Sequence, residues 1–293
     1  MKKNTLENVT VVIRYAGEAT LQSLKNQVSQ EVDKKNIFVI EEKPFSKAVE
    51  KTFSIGISND KKWTLALDAD LLLLPNAVEK LLHSGSKFSD KLYVYQANIL
   101  DWFKEGLKYG GPHLYKTCNL KEALSFVEQN ENNLRPESAI YRSMTAIGYE
   151  VVVEDKIFAI HDFYQSLKDI YRKAFFHGLK HKGYVSMLPV WMKKSVNNTD
   201  FEIAVKGYIE GFYDDTGSYP SVNDLNKKFK ESFALKTPDI NNIESEDVLK
   251  VLVNADISIN DKYEISKKSK LRNSLKFLQK FQKKVDFRLF NRY

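Results

Sequence analysis

The chain has one cysteine, Cys118. An internal disulfide or a thiolate metal centre needs more than one sulfur, so both are excluded, and a reducing compartment is expected. No window reaches the roughly 18 apolar residues that span a bilayer. The first residues, Met1-Lys2-Lys3-Asn4-Thr5, lack the apolar stretch of a signal peptide. There is no phosphate-binding glycine loop, no zinc-ligand spacing, no dinucleotide glycine fingerprint after the first strand, and no internal repeat. Charge of one sign is also not in broad excess. Lys plus Arg is 45 against 38 Asp plus Glu, a net charge of +7. The surplus gathers after about residue 262 and leaves the rest near neutral, so no nucleic-acid partner is expected. A cytoplasmic protein is expected, peripheral on the inner membrane face if that basic end reaches it.

What is present suits a folded protein. Hydrophobic residues are 43% of the chain and include 18 Phe and 15 Tyr, enough for a large aromatic core. A length of 293 residues allows one large domain with an appendage. Residues 9–13 and 37–40 are short β-branched or apolar runs of the kind buried in parallel sheets. Helical spacing follows each, over 18–28 and, from Pro44, to about Ser58. Residues 63–67 read as a third strand, and Pro75 opens another helix. This alternation predicts an α/β fold: a mostly parallel sheet flanked by helices on both faces. Ligands of such sheets lie beyond the carboxyl ends of the strands, here Arg14-Tyr15, Glu41-Glu42 and Asp68-Ala69-Asp70.

Further along, residues 92–97, 151–153 and 157–160 are strand-like. Gly110-Gly111-Pro112-His113 reads as a turn or a substrate-facing loop. Asn119 is the expected cap of a helix to about Glu128, and Pro136 starts a helix that Gly148 ends. Helical spacing covers 164–181, 201–212 and 222–235, with a loop at 237–247. The end, 266–293, is a basic amphipathic segment suited to an anionic membrane surface or to packing on the protein's own core. The expected organisation is a catalytic domain over 1–180 and a mainly helical C-terminal region over 181–293.

The chemistry centres on Asp68 and Asp70. Two carboxylates one residue apart, just past a buried strand, are able to hold Mg²⁺ or Mn²⁺, and the cation then bridges phosphates. The run of strand, helix, strand, helix near Pro44-Phe45-Ser46-Lys47-Ala48, strand, then Leu67-Asp68-Ala69-Asp70 resembles the GT-A fold (Rossmann-like) glycosyltransferases, family 2 in particular. The resemblance covers about residues 7–165. It implies a hexosyltransferase-like enzyme that moves sugar from a nucleotide-sugar donor to a glycan, lipid-linked or other polysaccharide precursor. It also implies that the Asp-x-Asp holds the metal on the donor's diphosphate, that Asp68 touches the ribose, and that His161 completes the metal site, a role open to neutral imidazole.

Glu137, in the first turn of a helix, and Glu150 are the candidates for a catalytic base. An inverting enzyme needs one and a retaining enzyme does not. Arg14, Tyr15, Glu41 and Glu42 sit where this fold holds base and ribose, and Lys47 is placed toward the diphosphate. His177 and His181 read as a solvated basic face. Other readings remain open. A haloacid-dehalogenase-like phosphatase wants Thr or Val where Leu72 stands, and carries its motif on the first strand. A sugar nucleotidyltransferase has a glycine-rich basic loop where Arg14-Tyr15-Ala16-Gly17-Glu18 stands. A basic membrane- or nucleic-acid-binding protein accounts for the tail but not for Asp68 and Asp70. The helical C-terminal region is also a candidate homo-oligomer interface.

Overall fold

The computed structural model describes residues 6–101, 106–130, 133, 135–162, 165–180, 187–216 and 220–233. His181, the loop at 237–247 and the basic segment at 266–293 lie outside the described residues. The described residues form two compact units, one ending at residue 162 and the other starting at residue 165.

The first unit is built on one sheet. Its strands are β1 (Val9–Arg14), β2 (Ile37–Ile40), β3 (Trp63–Asp68), β4 (Leu71–Leu73), β5 (Leu92–Asp101), β6 (Gly106–Tyr109), β7 (His113–Lys116) and β8 (Glu150–His161). They lie in the order β2-β1-β3-β7-β5-β8-β4, with β6 paired to β5. β1 is parallel to β2 and β3, and β5 is parallel to β8. β7 runs against both β3 and β5, so β3 and β5 point the same way. The carboxyl ends of β1, β2, β3, β5 and β8 therefore share one edge. That edge carries Arg14, Ile40, Asp68, Asp101 and His161.

Helices cover both faces, as the α/β pattern predicts. Leu65 and Leu67 pack on one face with Leu24 and Val28 of α1 (Leu21–Glu31) and Val78 and Leu81 of α3 (Ala77–Gly85). Ala66, between those leucines, packs on the other face with Val49 and Phe53 of α2 (Phe45–Asn59) and Ile140 and Met144 of α5 (Pro136–Ala146). The alternation is the two-residue period of a strand buried on both sides, which is why these strands read as unbroken apolar runs. A short helix, α4 (Leu120–Ser125), precedes α5. Its Asn119 makes no side-chain cap and the helix stops at Ser125, short of the expected Glu128. The Asn119 amide instead donates to the carbonyls of Asp90 and Leu92, binding the entry of β5.

The segments 151–153 and 157–160, separate in the sequence reading, form one strand with bulges. Ala97 pairs with Glu154, but Asn98 pairs with Ile157 and Ile99 with Ala159. The Asn98 amide donates to Asp155 in the looped-out stretch at 2.8 Å. An uninterrupted ladder from Ala97 would set Asp101 opposite Phe158. The bulges set it opposite His161.

The second unit is helical: α6 (Leu167–Lys180), α7 (Leu188–Ser195), α8 (Thr199–Phe212) and α9 (Val222–Ser232). α6 and α8 approach so closely that a Cβ on Gly211 would lie 1.9 Å from the carbonyl oxygen of Phe175. Backbone cannot rotate away as a side chain can. Gly211→Ala should therefore destabilise the protein by about 1–3 kcal/mol, even though alanine favours a helix by about 1 kcal/mol. A urea midpoint equal to or above wild type would show that the helices separate freely.

Candidate active site at the strand ends

Two charged clusters stand on the shared edge, and they divide the Asp-x-Asp pair between them. The register of β1 and β3 sets Arg14 opposite Asp68. Arg14 Nε donates to Asp68 Oδ1 at 2.8 Å, and its Nη1 donates to Glu137 Oε1 at 2.6 Å. The guanidinium carbon lies 4.9 Å from the centre of the Phe45 ring. Burial works against the charge on Arg14, but Asp68 and Glu137 outweigh it and keep the group protonated.

Glu137 sits in the first turn of α5, behind Pro136. Tyr115 Oη donates to it at 2.7 Å, and His113 Nε2 lies 3.8 Å from its other oxygen. Burial alone would raise its pKa. Arg14, His113 and the Tyr115 hydroxyl reverse that and hold the carboxyl at about 2. Arg14 and Tyr115 engage one oxygen and His113 faces the other, so Glu137, expected as a proton acceptor, stands here as the counter-ion of Arg14. Glu150, the other candidate, lies at the far end of β8. It begins β8 opposite Leu92 while His161 ends it opposite Asp101, which puts the two roughly 30 Å apart along the bulged strand.

The second cluster is built around His161. Leu71 of β4 pairs with His161 of β8, and the Asp162 amide donates to the Asp70 carbonyl at 3.2 Å. Asp162 has φ +57°, a left-handed conformation that Asp tolerates better than most residues. His161 Nε2 lies 3.4 Å from Asp70 Oδ2. On the other side of the ring, Nδ1 lies 3.1 Å from Asp162 Oδ2 and 3.2 Å from Asp101 Oδ2. Burial opposes a charge on this imidazole and Lys108 repels it. Asp162, Asp70 and Asp101 outweigh both and lift its pKa to about 9. Carboxylates converging in this way call for a positive charge between them, supplied either by a proton on the ring or by a metal ion.

Asp70, His161 and Asp162 each offer a ligand atom, all within 4.8 Å of one another. Two hard oxygens and an imidazole fit Mn²⁺ or Mg²⁺. The expected ligands Asp70 and His161 are thus brought together. Asp162 joins them, and Asp68 faces Arg14 instead. Asp101 and Asp162 were missed by the sequence reading. Asp162 could have been found as the acid directly following His161, whereas Asp101 meets the site only through the bulges in β8.

Of the remaining candidates, His113 belongs to the Glu137 cluster. Tyr15 packs partly buried on the core. Glu41 and Glu42 are exposed past β2. Lys47 Nζ pairs with Glu50 in its own helix at 2.9 Å. Gly110-Gly111-Pro112 joins β6 to β7, with Gly110 at φ +96°, and His113 is buried beneath Tyr141 and Gln96. Among the described residues, no helix is long and apolar enough to cross a membrane.

No protein-family model matches the chain, and no curated protein does. Solved structures are similar to it. One is a glycosyltransferase involved in the glycosylation of the major capsid of PBCV-1, at 15% identity and a TM-score of 0.38, covering 54% of this chain and 94% of that one. Another is the mannosyltransferase PcManGT from Pyrobaculum calidifontis in complex with GDP-Man and Mn²⁺, at 8% identity and a TM-score of 0.43, covering 94% and 86%. A third is the glycosyltransferase GlyE of Streptococcus pneumoniae TIGR4, at 14% identity and a TM-score of 0.30, covering 77% of this chain and 64% of that one. All three scores are below 0.5, so what this chain does is read from its own residues.

The Glu137 ion pair has a consequence in acid. Its folded pKa of about 2 lies below the ordinary glutamate value of 4.5. Its contribution to stability is therefore complete above pH 4.5 and lost as the pH falls toward 2, an amount of about 3 kcal/mol. Urea titrations across that range should show the loss in wild type and a flatter profile in Glu137→Gln. Parallel profiles would rule out this pair as a source of acid sensitivity.

Proposed function

We propose that this protein is a metal-dependent glycosyltransferase that uses a nucleotide-sugar donor. The observation that carries the reading is the meeting of Asp70, at the carboxyl edge of a parallel strand, with His161 and Asp162 in a set of metal-ligating atoms. Asp70, His161 and Asp162 would hold the cation, which when bound offsets negative charge on the departing nucleoside diphosphate. The side chain of Asp68 is 40% exposed while its other face is held by Arg14, so it is oriented yet reachable for a donor hydroxyl. Arg14 and Glu137 keep that carboxylate in place and are assigned no proton transfer.

The acceptor class proposed is a glycan or lipid-linked polysaccharide precursor, and the sugar transferred a hexose. The proposed setting is the cytoplasm, with the basic segment at 266–293 available to the inner membrane face and the helical C-terminal region to self-association. The lone Cys118 and the amphipathic spacing of that segment support this setting.

Thermal unfolding in the presence of nucleoside diphosphates and nucleotide sugars, with and without Mn²⁺, tests the donor site. A ligand at 100 times its Kd stabilises the folded state by about 2.7 kcal/mol. Stabilisation by one nucleotide, only with metal and lost in Asp70→Ala, is the expected result. No stabilisation by any of them rejects the reading and leaves a basic binding protein as the alternative. His161→Ala should also weaken Mn²⁺ binding by at least tenfold, and unchanged affinity would remove His161 from the ligand set.

A further inference from the structure

We propose that Asp101 is a positioning residue for His161, accepting the Nδ1 proton so that Nε2, the nitrogen facing Asp70, is left to bind the cation. The inference rests on the metal reading above and concerns a residue outside the ligand set. Asp101 ends β5 directly opposite His161 in the parallel ladder with β8. Its side chain is only 5% exposed, and its Oδ2 lies 3.2 Å from His161 Nδ1. Lys108, on the adjoining β6, lies 3.6 Å from the same oxygen and offsets its charge.

A neutral imidazole has one N–H and one bare nitrogen, and the partner of the N–H decides which nitrogen is bare. Two carboxylates compete for Nδ1, since Asp162 Oδ2 is 3.1 Å away. They are not equivalent. Asp162 belongs to the set of ligand atoms with Asp70 and His161, and Asp101 does not. For Asp162 to join a cation held by Nε2 and Asp70, its carboxylate turns away from Nδ1, and Asp101 remains as the acceptor for the ring. The register shifts in β8 serve this arrangement, because without them Asp101 would face Phe158 and the imidazole would lose that partner. Carboxylate partners of this kind fix the tautomer and orientation of metal-binding histidines, and their loss typically weakens metal binding 10–100-fold.

The test is Mn²⁺ titration of the full chain, followed by the loss of the free-ion paramagnetic resonance signal. It compares wild type with Asp101→Leu, Asp101→Ala and Asp101→Asn, with Asp70→Ala as the control lacking a ligand. Leucine and alanine remove the acceptor and should weaken binding by about 10–100-fold. Asparagine keeps a carbonyl acceptor and should stay within a few-fold of wild type. Should the leucine variant fail to fold, the alanine variant gives the same comparison with no added bulk. Wild-type affinity in the variant without an acceptor would overturn the positioning role while leaving the metal site standing. An asparagine variant as weak as the leucine one would show that charge near the cation matters rather than the hydrogen bond, and would overturn the role as well. No Mn²⁺ binding by wild type would overturn the metal reading, and this role with it.

Discussion

The site depends on the pairing of a very short strand. β4 is Leu71–Leu73, and it hydrogen-bonds to β8 so that Leu71 faces His161. Asp70 is the residue immediately before it, so this ladder is what sets its carboxylate against the imidazole. A strand of this length at a sheet edge is weakly held by its own bonds. Its outer side is completed from α1, where the Gln27 side chain accepts from the Leu73 amide at 3.0 Å and donates to the Leu73 carbonyl at 3.2 Å. A glutamine thus stands in for the next strand. All three leucines are buried, so hydrophobic burial and backbone pairing pull the segment in the same direction.

Charge then explains why the two aspartates behave differently although one residue separates them. Successive side chains of an extended chain point to opposite sides, but the turn after Asp68 breaks that alternation. Asp68 is still paired in the β1–β3 ladder and falls to Arg14. Asp70 lies beyond the turn and falls to His161. Thr20 steadies the residue between them, its hydroxyl donating to the Ala69 carbonyl, while the Ala69 amide donates to the Arg14 carbonyl at 2.9 Å. The result is one carboxylate held by a permanent cation and partly open to solvent, and another in a buried acidic cluster. The first arrangement suits polar contacts to a ligand, and the second suits a divalent ion.

Much of this was legible in the sequence, for a physical reason. β1 and β3 are buried on both faces, so they appear as nearly continuous apolar runs, whereas β2, equally apolar and expected to be buried, is the sheet's edge strand and leaves Val39 40% exposed. The acids that end β3 stand out because they interrupt such a run. His161 was readable for the same reason, as a polar residue directly after Phe158-Ala159-Ile160. Positions set by distant partners were not readable. Asp101 looks like any acid at a strand end until the bulges of β8 are known. Asn119 has the composition of a helix cap, but its amide is taken by the carbonyls of Asp90 and Leu92. Glu137 has the composition of a catalytic acid, and only the approach of Arg14 and Tyr115 shows its charge to be already engaged.

The direction of the strands joins these points. An all-parallel sheet would bring only the ends of its crossover strands to the ligand edge. Here β7, reached from β5 through β6, runs the other way between β3 and β5 and so joins two parallel groups of strands into one sheet. β5 and β8 then deliver Asp101 and His161 to the same edge as Arg14 and Asp68. β4 starts from that edge and runs back along β8, which is why Asp70, at its start, meets the last residue of β8 and not its first. Reversing the pairing of β4 alone would separate Asp70 from His161 by the length of the strand, with every residue unchanged. The cation site is therefore a property of topology as much as of the residues that line it.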